Sequence, residues 1–286
     1  MKILYLTKGD HVDYQDDCLL IGLRELFGAD VVDYNKREHN YVSYDEEAAK
    51  KLYGMGMSVT RILPDIEVDR TDITSKIKNK YFDYIVYGSI WRCSDHIQQI
   101  LEHYPKNKVI AVDGEDETNI HKVFDLGILY FKRELVYKHE RLFPISFAIP
   151  TRKVNFVKNK TRDVAICDPR DRSTYIYNNE SDYYKGYQES CFAVTIKKAG
   201  WDCMRHYEIL ANGCLPYFIN IDKCPELTMA SFPKQLCLDI FSDSKSNSAP
   251  NVYEKYASKF EEHFLNNNTT KAMASNFIKT IATHEY

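Results

Sequence analysis

Short apolar runs alternate with segments of helical periodicity along the first half of the chain. Strand–helix–strand alternation of this kind is typical of a parallel sheet with helices on both faces. Buried strands are predicted at 2–7, 29–34, 83–88, 108–114 and 128–133. One helix is predicted at 16–28, with Gly28 beyond its end, and another at 94–104, with Ser94 as its N-cap.

A second series of elements follows the segment FPISFAIPTRKVNFVKNKTR, whose prolines and basic end are typical of an interdomain connection. The predicted elements are strands at 163–168, 191–197, 214–220 and 234–240, and helices at 203–212, 251–267 and 269–284, with a polar loop at 242–251. We therefore predict an α/β protein with two Rossmann-like domains, residues 1–150 and 151–286. Ligands in such folds bind outside the carboxyl ends of the strands.

Composition narrows the class of protein. The chain has 286 residues, of which 44% are hydrophobic, so it can bury a large core. A net charge of −3 shows no basic excess, which makes nucleic acid an unexpected partner. No apolar run is long enough for a membrane span, and the start of the chain lacks a signal-peptide pattern.

The eight cysteines include no C-x-x-C pair, and several lie in apolar runs. Free thiols in a reducing compartment explain them better than a disulfide framework or a zinc site. The expected location is the cytoplasm, or the host cytoplasm if the Lys-, Asn- and Tyr-rich chain comes from a virus.

The segment KAGWDCMRHYEILANGCLPYF combines a turn, a helix and a strand with a polar stripe on the helix. Asp202 is predicted to cap the helix, which leaves the amide groups of Cys203 and Met204 free to bind an anion. Arg205 can add a bidentate contact to phosphate, and Glu208 can accept hydrogen bonds from a ribose diol. The alternative is an ordinary amphipathic helix, with Arg205 and Glu208 forming an exposed ion pair.

This segment resembles the donor-site signature of GT-B glycosyltransferases, closest to the exostosin-like and spore-maturation-type groups in bacteria and viruses. In those groups a Gly-rich turn precedes a helix with Arg and then Glu, followed by Ala-x-Gly-Cys-hydrophobic-Pro. The matching positions are Gly200, Asp202, Arg205, Glu208, Ala211, Gly213, Cys214 and Pro216. Cys203 stands where Ser or Thr is common. The resemblance covers most of the chain in scattered blocks, and its specific part is 197–218.

The resemblance implies a GT-B fold, in which two Rossmann-like domains face each other across a cleft and C-terminal helices pack back toward the N-terminal domain. It also implies a nucleotide-sugar donor, expected to be a UDP-sugar, and a glycan hydroxyl as acceptor, with no metal or further cofactor. The residues expected at the donor are Lys197, Lys198, Gly200, Trp201, Asp202, Cys203, Met204, Arg205, Glu208 and Arg170. The alternative for the lysines and Arg170 is that they are solvated surface charges.

Transfer with inversion requires a general base that takes the proton of the acceptor hydroxyl. The resemblance places this base on a loop of the N-terminal domain. In the loop KGDHVDYQDD, Asp13 is the first choice and His11, whose ordinary pKa lies near neutrality, is the second. Asp116, in the segment VDGEDET, is a further candidate for the base or for binding of acceptor hydroxyls. The alternatives are a surface-loop histidine and charges at a helix start.

Two other functions stay open. A metal-dependent glycosyltransferase would use the acidic cluster at 113–117 to hold a cation on the diphosphate. A non-catalytic protein with the same fold would bind a nucleotide or sugar without turnover. A dehydrogenase is disfavoured, because the loop after the first strand lacks the G-x-G-x-x-G fingerprint.

Overall fold

The computed structural model of the protein describes residues 1–284 and has an α/β fold with two parallel sheets. The strands are β1 (Ile3–Leu6), β2 (Val31–Asp33), β3 (Tyr84–Tyr87), β4 (Val109–Asp113), β5 (Leu129–Lys132), β6 (Leu142–Pro144), β7 (Arg162–Val164), β8 (Ser190–Thr195) and β9 (Leu215–Phe218). The helices are α1 (Tyr14–Phe27), α2 (Glu46–Ala49), α3 (Ile73–Lys78), α4 (Ile97–His103), α5 (Glu180–Gln188), α6 (Met204–Ala211), α7 (Lys234–Asp243), α8 (Ala249–Asn267) and α9 (Thr270–Ala282).

The larger sheet has the strand order β2-β1-β3-β4-β5-β6, and the smaller sheet has the order β7-β8-β9. Every neighbouring pair in both sheets is parallel, which confirms the predicted parallel α/β class. The central strands are buried along their whole length, as expected for strands covered on both faces. One apolar core includes residues of both sheets, such as Val86 of β3 and Phe192 of β8. The domain boundary at residue 150 stays a prediction.

One predicted strand and the predicted cap of one helix are wrong. Residues 234–240 form the start of helix α7, not a strand. Cys237 and Ile240, three positions apart, are its buried residues, so the apolar run follows the helical period. Helix α4 begins at Ile97, and His96, not Ser94, occupies its N-cap position without a side-chain cap. The eight cysteines carry free thiols, as expected. Within residues 1–284, no helix is long and apolar enough to cross a membrane.

Helix α9 packs directly against α1, which confirms that the C-terminal end of the chain returns to the N-terminal part. The amide of Thr270 donates to the carbonyl oxygen of Ile149 at 2.9 Å, which fixes the start of α9 beside the segment that follows β6. The helices approach closely at Gly22, where a Cβ atom would lie 2.1 Å from the Thr270 carbonyl oxygen. Only glycine allows this approach.

We expect the Gly22→Ala substitution to lower the free energy of unfolding by about 1–3 kcal/mol, because the added methyl group forces α1 and α9 apart. This is the expected net change, in which the strain outweighs the gain of about 1 kcal/mol that alanine has over glycine in a helix. Urea denaturation measures the change. Ser275→Ala, at an exposed position of α9, is the matched control and should change stability by less than about 0.5 kcal/mol. A Gly22→Ala protein as stable as the parent would contradict the close approach.

Candidate active site

The turn before α6 is attached to the larger sheet through Asp202. Its amide donates to the Glu134 carboxylate at 2.8 Å, and its carbonyl oxygen accepts from Arg133 at 2.6 Å. Its own carboxylate accepts from the amide of Phe147 at 3.0 Å and is buried, which raises the pKa of Asp202 to about 6. The predicted N-cap role of Asp202 is therefore wrong. Cys203 occupies the N-cap position, and no side chain caps the helix start.

Gly200 lets the turn lie close against two carboxylates. A Cβ atom there would be 2.5 Å from Glu134 Oε1 and 3.0 Å from Asp116 Oδ1. This approach brings the predicted donor turn beside Asp116, at the carboxyl end of β4. Trp201 is half-buried, with its ring tilted against Phe218 at a centroid distance of 6.5 Å. The turn before α6 therefore contacts carboxylates that follow strands of the larger sheet through Gly200 and an aromatic ring of the smaller sheet through Trp201.

Met204 and Cys203 contribute to the packing of the helix start. Met204 is 5% exposed and belongs to the apolar core. Cys203 is half-buried, and burial raises the pKa of its thiol, so this residue is neutral at pH 7. Neither side chain caps α6, and in its first turn the amide of His206 donates to the carbonyl oxygen of Cys203 at 3.0 Å.

Two of the three guanidinium nitrogens of Arg205 have no hydrogen-bond partner. Its Nη2 donates to the hydroxyl of Tyr175 at 2.8 Å, whereas Nε and Nη1 are buried and have no hydrogen-bond partner. Lys198 Nζ donates to the same Tyr175 hydroxyl at 3.3 Å. Two cations therefore converge on one phenol oxygen at the uncapped start of α6. A buried donor without an acceptor costs about 1–3 kcal/mol, and more when charged, so this arrangement calls for an explanation.

Glu208, one turn further along α6, is 8% exposed, and hydroxyl groups bond both of its carboxylate oxygens. Tyr183 donates to Oε2 at 2.8 Å, and Ser58, from the N-terminal half, donates to Oε1. Burial raises the pKa of Glu208, while these two hydrogen bonds act in the opposite direction. The alternative of an exposed ion pair with Arg205 is therefore wrong.

Two other predicted donor residues have contacts of their own. Arg170 is exposed and pairs with Asp168, to which its Nη2 donates at 2.6 Å. Lys197 is exposed, with its Nζ 5.9 Å from the centroid of the Trp201 ring. The structure thus brings together Lys198, Arg205 and the start of α6, while Arg170 is engaged by a neighbour in its own loop.

Asp13 is the N-cap of α1, whereas the sequence placed it within the preceding loop. Its Oδ1 accepts from the amides of Gln15 at 3.1 Å and Asp16 at 3.3 Å. Its Oδ2 lies 3.6 Å from Arg92 Nη1, beyond hydrogen-bond distance, and 9% of the side chain is exposed. Asp13 Oδ2 therefore lies near the positive charge of Arg92 but accepts no direct hydrogen bond from that side chain.

Arg37 holds the loop that carries His11 and Asp13. Its guanidinium pairs with Asp16 at 2.8 Å and Asp17 at 2.7 Å, and it donates to the carbonyl oxygen of His11 at 2.7 Å. These groups are buried except for His11, whose side chain is exposed. Burial raises the pKa of Asp16 to about 6, although Arg37 opposes the shift. The network fixes the backbone of the loop and leaves the His11 ring at the surface.

Asp113, the first residue of the acidic cluster, is part of the core. It is fully buried and pairs with Lys132 at 2.9 Å, while the Tyr130 hydroxyl donates to its other oxygen at 2.5 Å. Glu115 pairs with Arg92. Within residues 1–284, no group of three or more His, Cys, Asp or Glu side chains is arranged to hold a metal ion.

Asp116 lies where the larger sheet meets the turn before α6. It pairs with Arg133, whose side chain is 3% exposed and which also donates to the carbonyl oxygen of Asp202. Half of the Asp116 side chain is accessible, since 45% of it is exposed. Arg133 therefore links a predicted acceptor-side carboxylate to the predicted donor turn.

Sequence reasoning missed several residues at this site, among them Tyr175, Ser58, Trp91 and Arg92. Tyr175 lies in a polar loop, and Ser58 lies far from α6 in the chain, so neither gave a signal. Trp91 and Arg92 follow β3, and their position at the carboxyl end of a predicted strand was the available signal. Trp91 is 45% exposed, and its ring lies 4.7 Å from that of His121.

Comparison with models of protein families gives no match for this chain. A search of the curated proteins gives none either.

Proposed function

We propose that this protein is a GT-B glycosyltransferase that moves a sugar from a nucleotide-diphosphate donor, a UDP-sugar, to a hydroxyl group of a glycan. The observation that carries the proposal is the Arg205 guanidinium, with buried and unpartnered nitrogens at the uncapped start of α6. An anion at this place would accept from these nitrogens and from the first amides of the helix. The resemblance of the surrounding segment supports a diphosphate as that anion.

The arrangement suits a departing diphosphate. Negative charge grows on the leaving oxygen as the bond from the sugar's anomeric carbon to phosphate breaks. The helix start, Arg205 and Lys198 lie close together in the free protein, so positive charge is already placed to stabilise this negative charge. The Tyr175 hydroxyl accepts hydrogen bonds from both Lys198 and Arg205, and so keeps their side chains close to each other. Glu208, one turn on, is assigned to the ribose.

The acceptor is assigned to the carboxyl edge of the larger sheet. Asp13 takes the proton of the acceptor hydroxyl while that oxygen attacks the anomeric carbon from the face opposite the leaving diphosphate. Its Oδ2 lies 3.6 Å from Arg92 Nη1 without a direct hydrogen bond, whereas Asp116 accepts a direct hydrogen bond from Arg133, which favours Asp13 as the base. Trp91 supplies an aromatic ring, and the neighbouring Arg92 supplies hydrogen-bond donor groups. This combination suits the binding of a sugar ring.

A thermal-shift screen of nucleoside diphosphates, followed by assays of donor hydrolysis and transfer with and without EDTA, tests this function. A nucleoside diphosphate at 100 times its dissociation constant is expected to stabilise the fold by about 2.7 kcal/mol. Turnover of the matching nucleotide sugar should persist in EDTA. Stabilisation without turnover would identify a binding protein instead. Loss of turnover in EDTA that Mg²⁺ or Mn²⁺ restores would favour the metal-dependent enzyme.

A further inference from the structure

The segment 53–60 has an unusual backbone. Gly54 and Gly56 have φ angles of 63° and 66°, and Met55 and Ser58, which carry side chains, have φ angles of 55° and 70°. A left-handed conformation costs about 1–2 kcal/mol at a residue with a side chain, so contacts elsewhere must hold this segment in place.

Ser58 supplies those contacts. Its amide donates to the Glu180 carboxylate at 2.6 Å, its hydroxyl lies 2.8 Å from the hydroxyl of Tyr184, and the same hydroxyl donates to Glu208. All three partners belong to α5 and α6, which accompany the smaller sheet, whereas Ser58 comes from the half of the chain that forms the larger sheet. Ser58 is 1% exposed. The segment therefore fastens the two halves together at one point.

The fastening point is the carboxylate assigned to the ribose. A ribose diol donates two hydrogen bonds, and in this structure both oxygens of Glu208 already accept from Ser58 and Tyr183. Its carboxylate is closed to solvent, while Nε and Nη1 of Arg205, one turn away, have no hydrogen-bond partner. The phosphate end of the site thus has donors without acceptors, and the ribose end is occupied by a protein hydroxyl that makes the contact a ribose hydroxyl would make.

We propose that segment 53–60 is an autoinhibitory latch, in which Ser58 occupies Glu208 until the ribose of a nucleotide displaces it. This inference rests on the proposed function. Gly54 and Gly56 allow the segment to swing, because glycine adopts both left- and right-handed backbone conformations at little cost. The closed latch weakens the apparent affinity for the nucleotide, because the apparent dissociation constant is the intrinsic one divided by the fraction of molecules whose latch is open.

The test compares binding of UDP by calorimetry in the parent protein, in Ser58→Gly and in Tyr184→Phe. Ser58→Gly removes the hydroxyl and suits the φ angle of 70°, so the variant should fold. We expect the dissociation constant to fall about 10-fold in Ser58→Gly and about threefold in Tyr184→Phe. Ser43→Gly, at an exposed position, is the control and should bind like the parent. Amide hydrogen exchange in segment 53–60 should rise when UDP binds.

The outcomes separate the latch from the proposed function. If UDP binds the parent protein and the Ser58→Gly dissociation constant is equal or higher, the latch is overturned and the nucleotide site stands. Unchanged exchange in segment 53–60 on UDP binding would overturn it equally. If UDP binds Ser58→Gly but not the parent, the latch is supported in a tightly closed form. If neither protein binds any nucleoside diphosphate, the proposed function and the latch both fail.

Discussion

Replacement of Arg205 with alanine is expected to weaken the binding of UDP about 100-fold. The substitution removes the buried nitrogens that lack partners in the free protein, and charge-assisted hydrogen bonds contribute about 1.5–3 kcal/mol each. A 100-fold change corresponds to about 2.7 kcal/mol, which fits the loss of one or two such bonds. Calorimetry with the parent and variant proteins measures the effect directly.

Two further variants sharpen this prediction. Arg205→Lys keeps the charge but loses the planar pair of donors, so its affinity should fall between those of the parent and Arg205→Ala. Arg162→Ala removes an exposed arginine from the start of β7, where it pairs with Glu189 at 3.8 Å, and should leave the affinity unchanged. Equal affinities of Arg205→Ala and the parent would show that the diphosphate does not bind at the start of α6.

Asp13→Asn is expected to lower the turnover number by about 100- to 10,000-fold while the dissociation constant of UDP stays the same, because the base acts on the acceptor and not on the donor. Asparagine is chosen over alanine because Asp13 also caps α1 through its Oδ1. An asparagine oxygen can accept the same amide hydrogen bonds, so the helix start is preserved. Steady-state kinetics and calorimetry together give both quantities.

Asp10→Asn is the matched control, because Asp10 is exposed on the same loop. It should turn over like the parent. Asp116→Asn is measured in the same assay, since Asp116 touches the donor turn. If Asp13→Asn keeps full turnover and Asp116→Asn loses it, the base is Asp116 and the assignment to Asp13 is wrong.

The class of fold was predictable because the strands of a parallel sheet leave a strong local pattern. β1, β3 and β4 are continuous apolar runs between polar boundaries, and the structure places them at the centre of the larger sheet. The run at 234–240 was misassigned, since a short apolar run fits a strand and a helix equally well. β6 is a three-residue edge strand that was not predicted, because its short sequence gives little periodicity.

The candidate site was predictable only where its residues are neighbours in the chain. Arg205 and Glu208 are one turn apart on a helix, so their common stripe was visible in the sequence. The contact between Ser58 and Glu208 joins positions 150 residues apart, and it depends on how the two halves of the chain pack. Asp202 was predicted as a cap from its position, but the amide of Phe147 competes for its carboxylate. Tertiary contacts therefore decided the role of each polar side chain.

A crystal structure of the protein with UDP is the most direct test of the central claim, that the start of α6 and the Arg205 guanidinium hold the diphosphate. The account predicts diphosphate oxygens within hydrogen-bond distance of Arg205 Nε or Nη1 and of the first amides of α6, with the ribose on Glu208. A diphosphate bound elsewhere, with those two nitrogens still lacking partners, would contradict the account.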